Sequence, residues 1–275
     1  MSNWNGTAYH LTEADVESAF RTILASDLVH TRREYLARLA LETKIEVSDS
    51  LSVNAGAGRL SDEDVKAQIP SDPEKAKLVI PKKYIVMVNQ GLLDWSSAVA
   101  VVAATLDRTG SVFKARSMLK WLRKASTVGC VGGDLLLRMW KKFHLAEDSV
   151  QEEVARMYAK AILLEVLSHE CGHVCLGHAP YPGHDAHMSI SRNDERQADT
   201  FASSVIQSSC TGTVGAVGAI VSQIGLMWVH RIPDEKLRFS SHPMNIERLS
   251  QYIEDFNAIL TVSHIKKKQL LGLVP

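Results

Sequence analysis

Between Thr12 and Lys44 apolar residues recur at three-to-four spacing: Val16, Phe20, Ile23, Leu24 and Leu28, then Tyr35, Leu36, Leu39 and Leu41. That period predicts an N-terminal helical region, 1–44, with Thr12 and Asp15 standing where a helix starts. The pattern then changes to alternation. Ile45 and Val47 in 44–53 predict a short strand. Residues 54–80 hold Gly56, Gly58, Pro70 and Pro73 among many charges and read as an exposed insertion. Tyr84–Val88 reads as a second strand, closed by Gly91, and Pro81 suits a place at the sheet edge.

Helical spacing returns over Ala98–Leu106 and Phe113–Lys124, followed by a glycine-rich turn at 129–133 and a short helix around Leu135–Phe143. Ser149 opens a long central helix, with Glu152 and Glu153 near its positive N-terminal end. Val154, Met157, Tyr158 and Ala161 form one face. From Ile162 onward apolar residues lie on nearly every side, so this helix is expected to sink into the core. Pro180, Pro182 and Gly183 end it. Ser191 or Asn193 can cap the next helix, and a last amphipathic helix covers Ile246–Thr261. The picture is one mainly helical domain over 1–275 with two short strand candidates, whose region 149–262 gathers the central and C-terminal helices.

Composition narrows the function. Lys+Arg and Asp+Glu are both 31, so no net field draws the chain to nucleic acid. The Lys266-Lys267-Lys268 run is too short to alter this and reads as a solvated helix end. The N-terminus lacks the basic and apolar regions of a secretory signal. Cys130, Cys171, Cys175 and Cys210 show neither paired metal spacing nor a disulfide framework, and a reducing, cytoplasmic compartment is expected. Thr200–His230 contains no Asp, Glu, Lys or Arg. It is expected to be a buried core helix, the alternative being a segment that contacts a membrane in 200–230.

The candidate chemistry lies in the central helix. His169-Glu170-Cys171-Gly172-His173 has the H-E-x-x-H form. Residues four apart share a helix face, so both imidazoles can reach one metal ion, and Glu170 lies where it can meet a water beside that ion. Leu163, Leu164, Val166, Leu167 and Val174 surround the motif, and burying two histidines and a glutamate there costs several kcal/mol unless they are paired or coordinated. Core histidines satisfied by backbone carbonyls are the structural alternative, which leaves Glu170 unexplained. A catalytic zinc needs a third protein ligand and an open position. Glu195 is the leading candidate, with Asp199 one turn later on the same face to receive the ring N–H of a liganding histidine. His178, His184 and His187 compete for the third place.

At this point the sequence resembles the gluzincin peptidases of the HtpX and CAAX-prenyl-protease type. Four features in order carry the resemblance: Asn54-Ala55, then Tyr84 to Leu93 ending in G-L-L, then His169–His173 with His178 and Glu195–Asp199 as E-x-x-A-D, then Ser241-His242-Pro243 with Arg248. The resemblance implies an α+β gluzincin fold with the sheet over the active-site helix, and zinc-dependent endopeptidase activity on a protein or peptide substrate. It also implies that His242 and Arg248 sit near the metal as catalytic residues that stabilise the reacting carbonyl oxygen. This chain departs from that pattern in three ways: a long insert before the motif, a charged insertion after Asn54-Ala55, and no obvious transmembrane helices.

On this reading zinc is held by His169, His173 and Glu195, Glu170 is the general base, and an extended substrate adds as a strand beside Tyr84–Asn89. The rival from another class is a regulatory or partner-binding protein on a metallopeptidase scaffold, against which the presence of Glu170 weighs. A purely structural metal site, which would recruit Cys171 and Cys175, is the third possibility.

Overall fold

The computed structural model describes residues 10–126, 134–143, 145, 149–181, 190–209, 211–229, 245–263 and 265–275. Its axis is the helix the pattern singled out, Ser149–Leu176, which is about 42 Å long at 1.5 Å per residue. It ends at Gly177, whose φ of 82° lies in the left-handed region that glycine adopts without strain. In chain order the elements before it are α1 (Glu13–Ala25), α2 (Asp27–His30), α3 (Arg33–Leu36) with a π-turn over Ala37–Leu41, β1 (Thr43–Ser48), β2 (Ala55–Arg59), α4 (Asp62–Ala67), α5 (Pro73–Ala76), β3 (Tyr84–Asn89), α6 (Gln90–Thr109), α7 (Val112–Ala125) and α8 (Leu135–Phe143). The central helix is α9. After it come α10 (Arg192–Ser208), α11 (Gly212–Val229), α12 (Asn245–Asp255), α13 (Asn257–Val262) and α14 (Lys267–Leu271).

Helices α1, α6, α10 and α11 all pack on α9. Helix α6 is buried from Gly91 to Leu106, because small and branched residues (Ala98, Val99, Ala100, Val101, Val102, Ala103) surround it on every side. The uncharged segment ends α10 (Thr200–Ser208) and then forms α11, whose Ala216, Val217, Ala219, Ile220, Val221 and Ile224 are fully buried against these neighbours. No helix among the described residues is long and apolar enough to cross a membrane. The expected single helix over Ile246–Thr261 is two, α12 and α13, broken at Phe256.

Among the described residues the sheet has three strands in the order β1-β3-β2. Strand β1 runs parallel to β3, Thr43 beside Tyr84, and β2 runs antiparallel to it, Ala57 beside Val86. Two expectations are corrected here. First, 54–80 is not an exposed insertion throughout: Ala55–Arg59 is a sheet strand. Its Ala-Gly-Ala-Gly alternation places Ala55 and Ala57 against the core, while the glycines that resembled turn signals need no room on the other face. Beyond it the expected exposure holds, since α4 and α5 bury no residue. Second, Tyr84–Asn89 is the middle strand, not an edge. Val86 and Val88 are fully buried, and both neighbours are taken, so no substrate strand can add beside it.

Candidate metal centre

The site is built where α9 and α10 meet. Ser191 caps α10: its hydroxyl accepts the Asp194 N–H at 3.2 Å, and the Asp194 carboxylate accepts the Ser191 N–H at 2.9 Å, a reciprocal box that fixes the first turn. Gly172, inside the H-E-x-x-H run, lets α10 approach. A β-carbon there would stand 3.2 Å from the Cα of Ala198, tighter than ordinary van der Waals contact. The two helices therefore bring Glu195 over the histidine pair, with His169, His173 and Glu195 exposed by only 6%, 2% and 1%.

The three side chains converge. His169 Nε2 lies 3.3 Å from Glu195 Oε2, His173 Nε2 lies 3.7 Å from Glu195 Oε1, and the two Nε2 atoms are 3.2 Å apart. Among the described residues, these are the ones whose donor atoms group closely enough to hold a metal ion. Ligands at about 2.0–2.1 Å from a tetrahedral ion are roughly 3.3 Å from one another, which is close to the separations found. The donor set fits one ion.

Behind His169 lies a charged brace. Its Nδ1–H donates to Asp199 Oδ1 at 2.9 Å, which leaves the Nε2 lone pair directed at the centre. The Arg248 guanidinium from α12 donates to the same carboxylate, Nη2 to Oδ1 at 2.6 Å and Nε to Oδ2 at 3.0 Å. Burial pushes the Asp199 carboxyl up, but Arg248 and His169 outweigh it and hold it below its usual range. Burial and the Arg248 charge press on the His169 imidazolium, yet the bonds to Asp199 and Glu195 raise it; burial and the neighbouring His169 charge push His173 down.

The other expected residues fall around this cluster or outside it. Glu170 is half-buried on α9 beside the pair. Arg248 lies 3.2 Å from His169 Nδ1, behind the ring and away from the face where the Nε2 atoms meet, so its position does not suit contact with a reacting carbonyl oxygen. The physical reason is that Asp199 captures its fork. His178 stacks edge-on to His173 with ring centroids 5.6 Å apart and lies 3.5 Å from Asp194. It borders the cluster without joining it. His184, His187 and His242 fall outside the described residues. Cys171 and Cys175 are buried free thiols; burial raises both, Cys175 to about 12, and neither belongs to the cluster.

One group escaped the sequence reading. Glu165, one turn before His169, is fully buried and accepts bonds from Ser222 Oγ at 3.0 Å, Gln223 Nε2 at 2.9 Å and the Tyr252 hydroxyl at 2.9 Å. Its signal was present, a lone carboxylate amid Ile162, Leu163, Leu164, Val166 and Leu167. Its donors, however, come from two helices distant in sequence.

Comparison with known proteins gives one family. The model of the family described as Peptidase U49 matches residues 106–266, which is more than half of the chain and includes every residue of the cluster. No curated protein and no solved structure matches.

Proposed function

Because the chain belongs to the Peptidase U49 family, we propose that it is a zinc-dependent endopeptidase that hydrolyses peptide bonds of a protein or peptide substrate at the His169–His173–Glu195 centre. The observation that carries this reading is the convergence of two imidazole nitrogens and one carboxylate within 4.8 Å of one another, with Asp199 setting the tautomer of the first. Two nitrogens and one oxygen are a ligand set that zinc favours, and three protein ligands leave a position open, as catalytic zinc sites do. The order of Glu195, Asp199 and Arg248 after the H-E-x-x-H run supports the finer assignment to gluzincins of the HtpX and CAAX-prenyl-protease type.

Zinc, when bound, supplies a Lewis acid that acidifies water and polarises a carbonyl. The chain's own residues do the rest. Glu170 takes a proton from the attacking water and delivers it to the leaving amide nitrogen. Asp199 and Arg248 hold His169 in one tautomer and one orientation. An extended substrate adds at the outer edge of β2, which has a single neighbour in the sheet and small residues along its length. That edge runs to the end of α9, where the Arg59 N–H donates to the Pro180 carbonyl at 2.9 Å. Strand addition reads backbone before side chains. Balanced charge and buried, protonated thiols support action in a reducing, cytoplasmic compartment.

The test is Glu170→Gln. The variant is expected to bind zinc with wild-type stoichiometry while cleavage of a substrate found by proteome-wide profiling falls by about 10²–10⁴-fold. Turnover at the wild-type rate would remove Glu170 from the reaction. Stoichiometric zinc in a wild-type chain that cleaves nothing would favour a partner-binding protein on the same scaffold.

A further inference from the structure

Helices α9 and α12 meet through two matched rungs. On α9, Glu165 and His169 are four residues apart and share a face; on α12, Arg248 and Tyr252 are likewise four apart. Arg248 meets His169 with Asp199 between them, and one turn away Tyr252 donates its hydroxyl to Glu165. The second rung is wholly interior, since Glu165 and Tyr252 are both 0% exposed. It is also fixed from the side by Ser222 and Gln223 of α11.

A carboxyl in such a place is expensive to bury, and three donors restore only what water would have given it. An apolar side chain of similar volume would fill the space without that penalty, so stability alone does not account for Glu165. Its surroundings suggest another purpose. Arg248 is a partly buried cation whose carboxylate partner is Asp199. Tyr252 ties the Glu165 carboxyl to Arg248's own helix. Rotation of α12 that carried Arg248 off Asp199 would break the Tyr252–Glu165 bond as well.

We propose that Glu165 and Tyr252 are positioning residues for the metal centre: their bond sets the rotation of α12, which holds Arg248 on Asp199 and so keeps His169 Nε2 aimed at the ion. The inference rests on the metal-centre reading above and adds residues that no ligand or base assignment includes.

Zinc affinity measured by competition with a chromophoric chelator, well below the apoprotein melting temperature, tests it. Tyr252→Phe and Glu165→Gln should each lower affinity about 10-fold, at the low end for partners that lie outside the ligands themselves. Arg248→Lys should do the same, because a lysine cannot reproduce the fork on Asp199. The decisive measurement is the double variant. If Tyr252 acts through Arg248, adding Tyr252→Phe to Arg248→Lys should cost little more than Arg248→Lys alone. Wild-type affinity in both Tyr252→Phe and Glu165→Gln, or losses that multiply fully in the double variant, would overturn the proposal while leaving the metal centre intact. A wild-type chain that takes up no zinc would overturn both.

Discussion

Two helices cross one face of α9 about three turns apart, and they bring opposite chemistry to it. Near the N-terminal half α11 approaches through Gly218, where a β-carbon would stand 2.6 Å from that of Ala161. Near the C-terminal half α10 approaches Gly172 through Ala198 and Phe201. Helix α11 has no Asp, Glu, Lys or Arg, whereas α10 carries Arg192, Asp194, Glu195, Arg196 and Asp199. Small residues make both crossings close, so closeness by itself says nothing of function. At α11 it serves packing, and a shift of a few tenths of an ångström forfeits some dispersion contacts. At α10 it sets the distance from a carboxylate to two imidazoles, where metal geometry works to about 0.2 Å.

The comparison breaks most sharply at Glu195. Glu195→Ala should lower zinc affinity by more than about 100-fold, beyond the loss typical of residues outside the ligand set. The apoprotein should melt lower by only a few degrees, since the variant loses the Glu195 contact with His169 and leaves a small cavity, whereas the loss of zinc affinity is far larger. Dialysis against zinc followed by metal analysis reads the first, and calorimetry of the metal-free chain the second. Retained stoichiometric zinc would place the third ligand elsewhere.

A pair of glycine substitutions sharpens it. Gly172→Ala must push α10 away at Ala198, and zinc affinity should fall about 10-fold for a displacement of this order. The melting temperature should move little, because alanine recovers about 1 kcal/mol of helix propensity. Gly218→Ala should do the reverse, with overpacking of about 1–3 kcal/mol against Ala161, seen as a lower denaturation midpoint, and a loss of zinc affinity smaller than that of Gly172→Ala, transmitted only through Ser222 and Gln223 to Glu165. Equal effects of the two on both readouts would mean that the crossings are not distinct.

The same contrast explains what the sequence made legible. Helices α7 to α9 and the C-terminal half of α6 follow from hydrophobic period, α10 from its cap, and the site from H-E-x-x-H plus a carboxylate on that capped helix, local patterns in residues 149–199. The uncharged segment was ambiguous because the pattern of Gly212, Gly215 and Gly218 suits lipid and protein neighbours alike; only Ala161, far away in the chain, shows what Gly218 packs against. Strand β2 was hidden because alanine and glycine carry no apolar alternation. With β2 unseen, β3 looked like an edge. Arg248 was placed near the metal by resemblance, but which side of His169 it takes depends on Asp199 holding its fork, a contact between α10 and α12. Glu165 needed three helices in place at once.

The smallest effect is the most selective. Ser191 and Ser61 are both N-caps, each accepting a backbone N–H from an aspartate three residues on, Asp194 at 3.2 Å and Asp64 at 3.0 Å. Replacing either by alanine should weaken its helix by about 1 kcal/mol. The caps differ in the helical turn that each one holds. Behind Ser61, α4 buries nothing, so fraying of its first turn disturbs only solvent-facing backbone, and Ser61→Ala should leave zinc affinity at the wild-type value. Behind Ser191 the first turn leads directly into Glu195. Each opening of that turn in Ser191→Ala withdraws a ligand, so part of the lost capping energy should reappear as weaker metal binding, about two- to three-fold if a third to two-thirds of roughly 1 kcal/mol is transmitted. Zinc should in turn restore protection of the Asp194 and Glu195 amides in hydrogen exchange, and no such recovery should occur at Asp64. Equal zinc affinities in the two variants would show that α10 is held in place by its contact with Gly172 alone, with the cap contributing nothing to the position of the ligand.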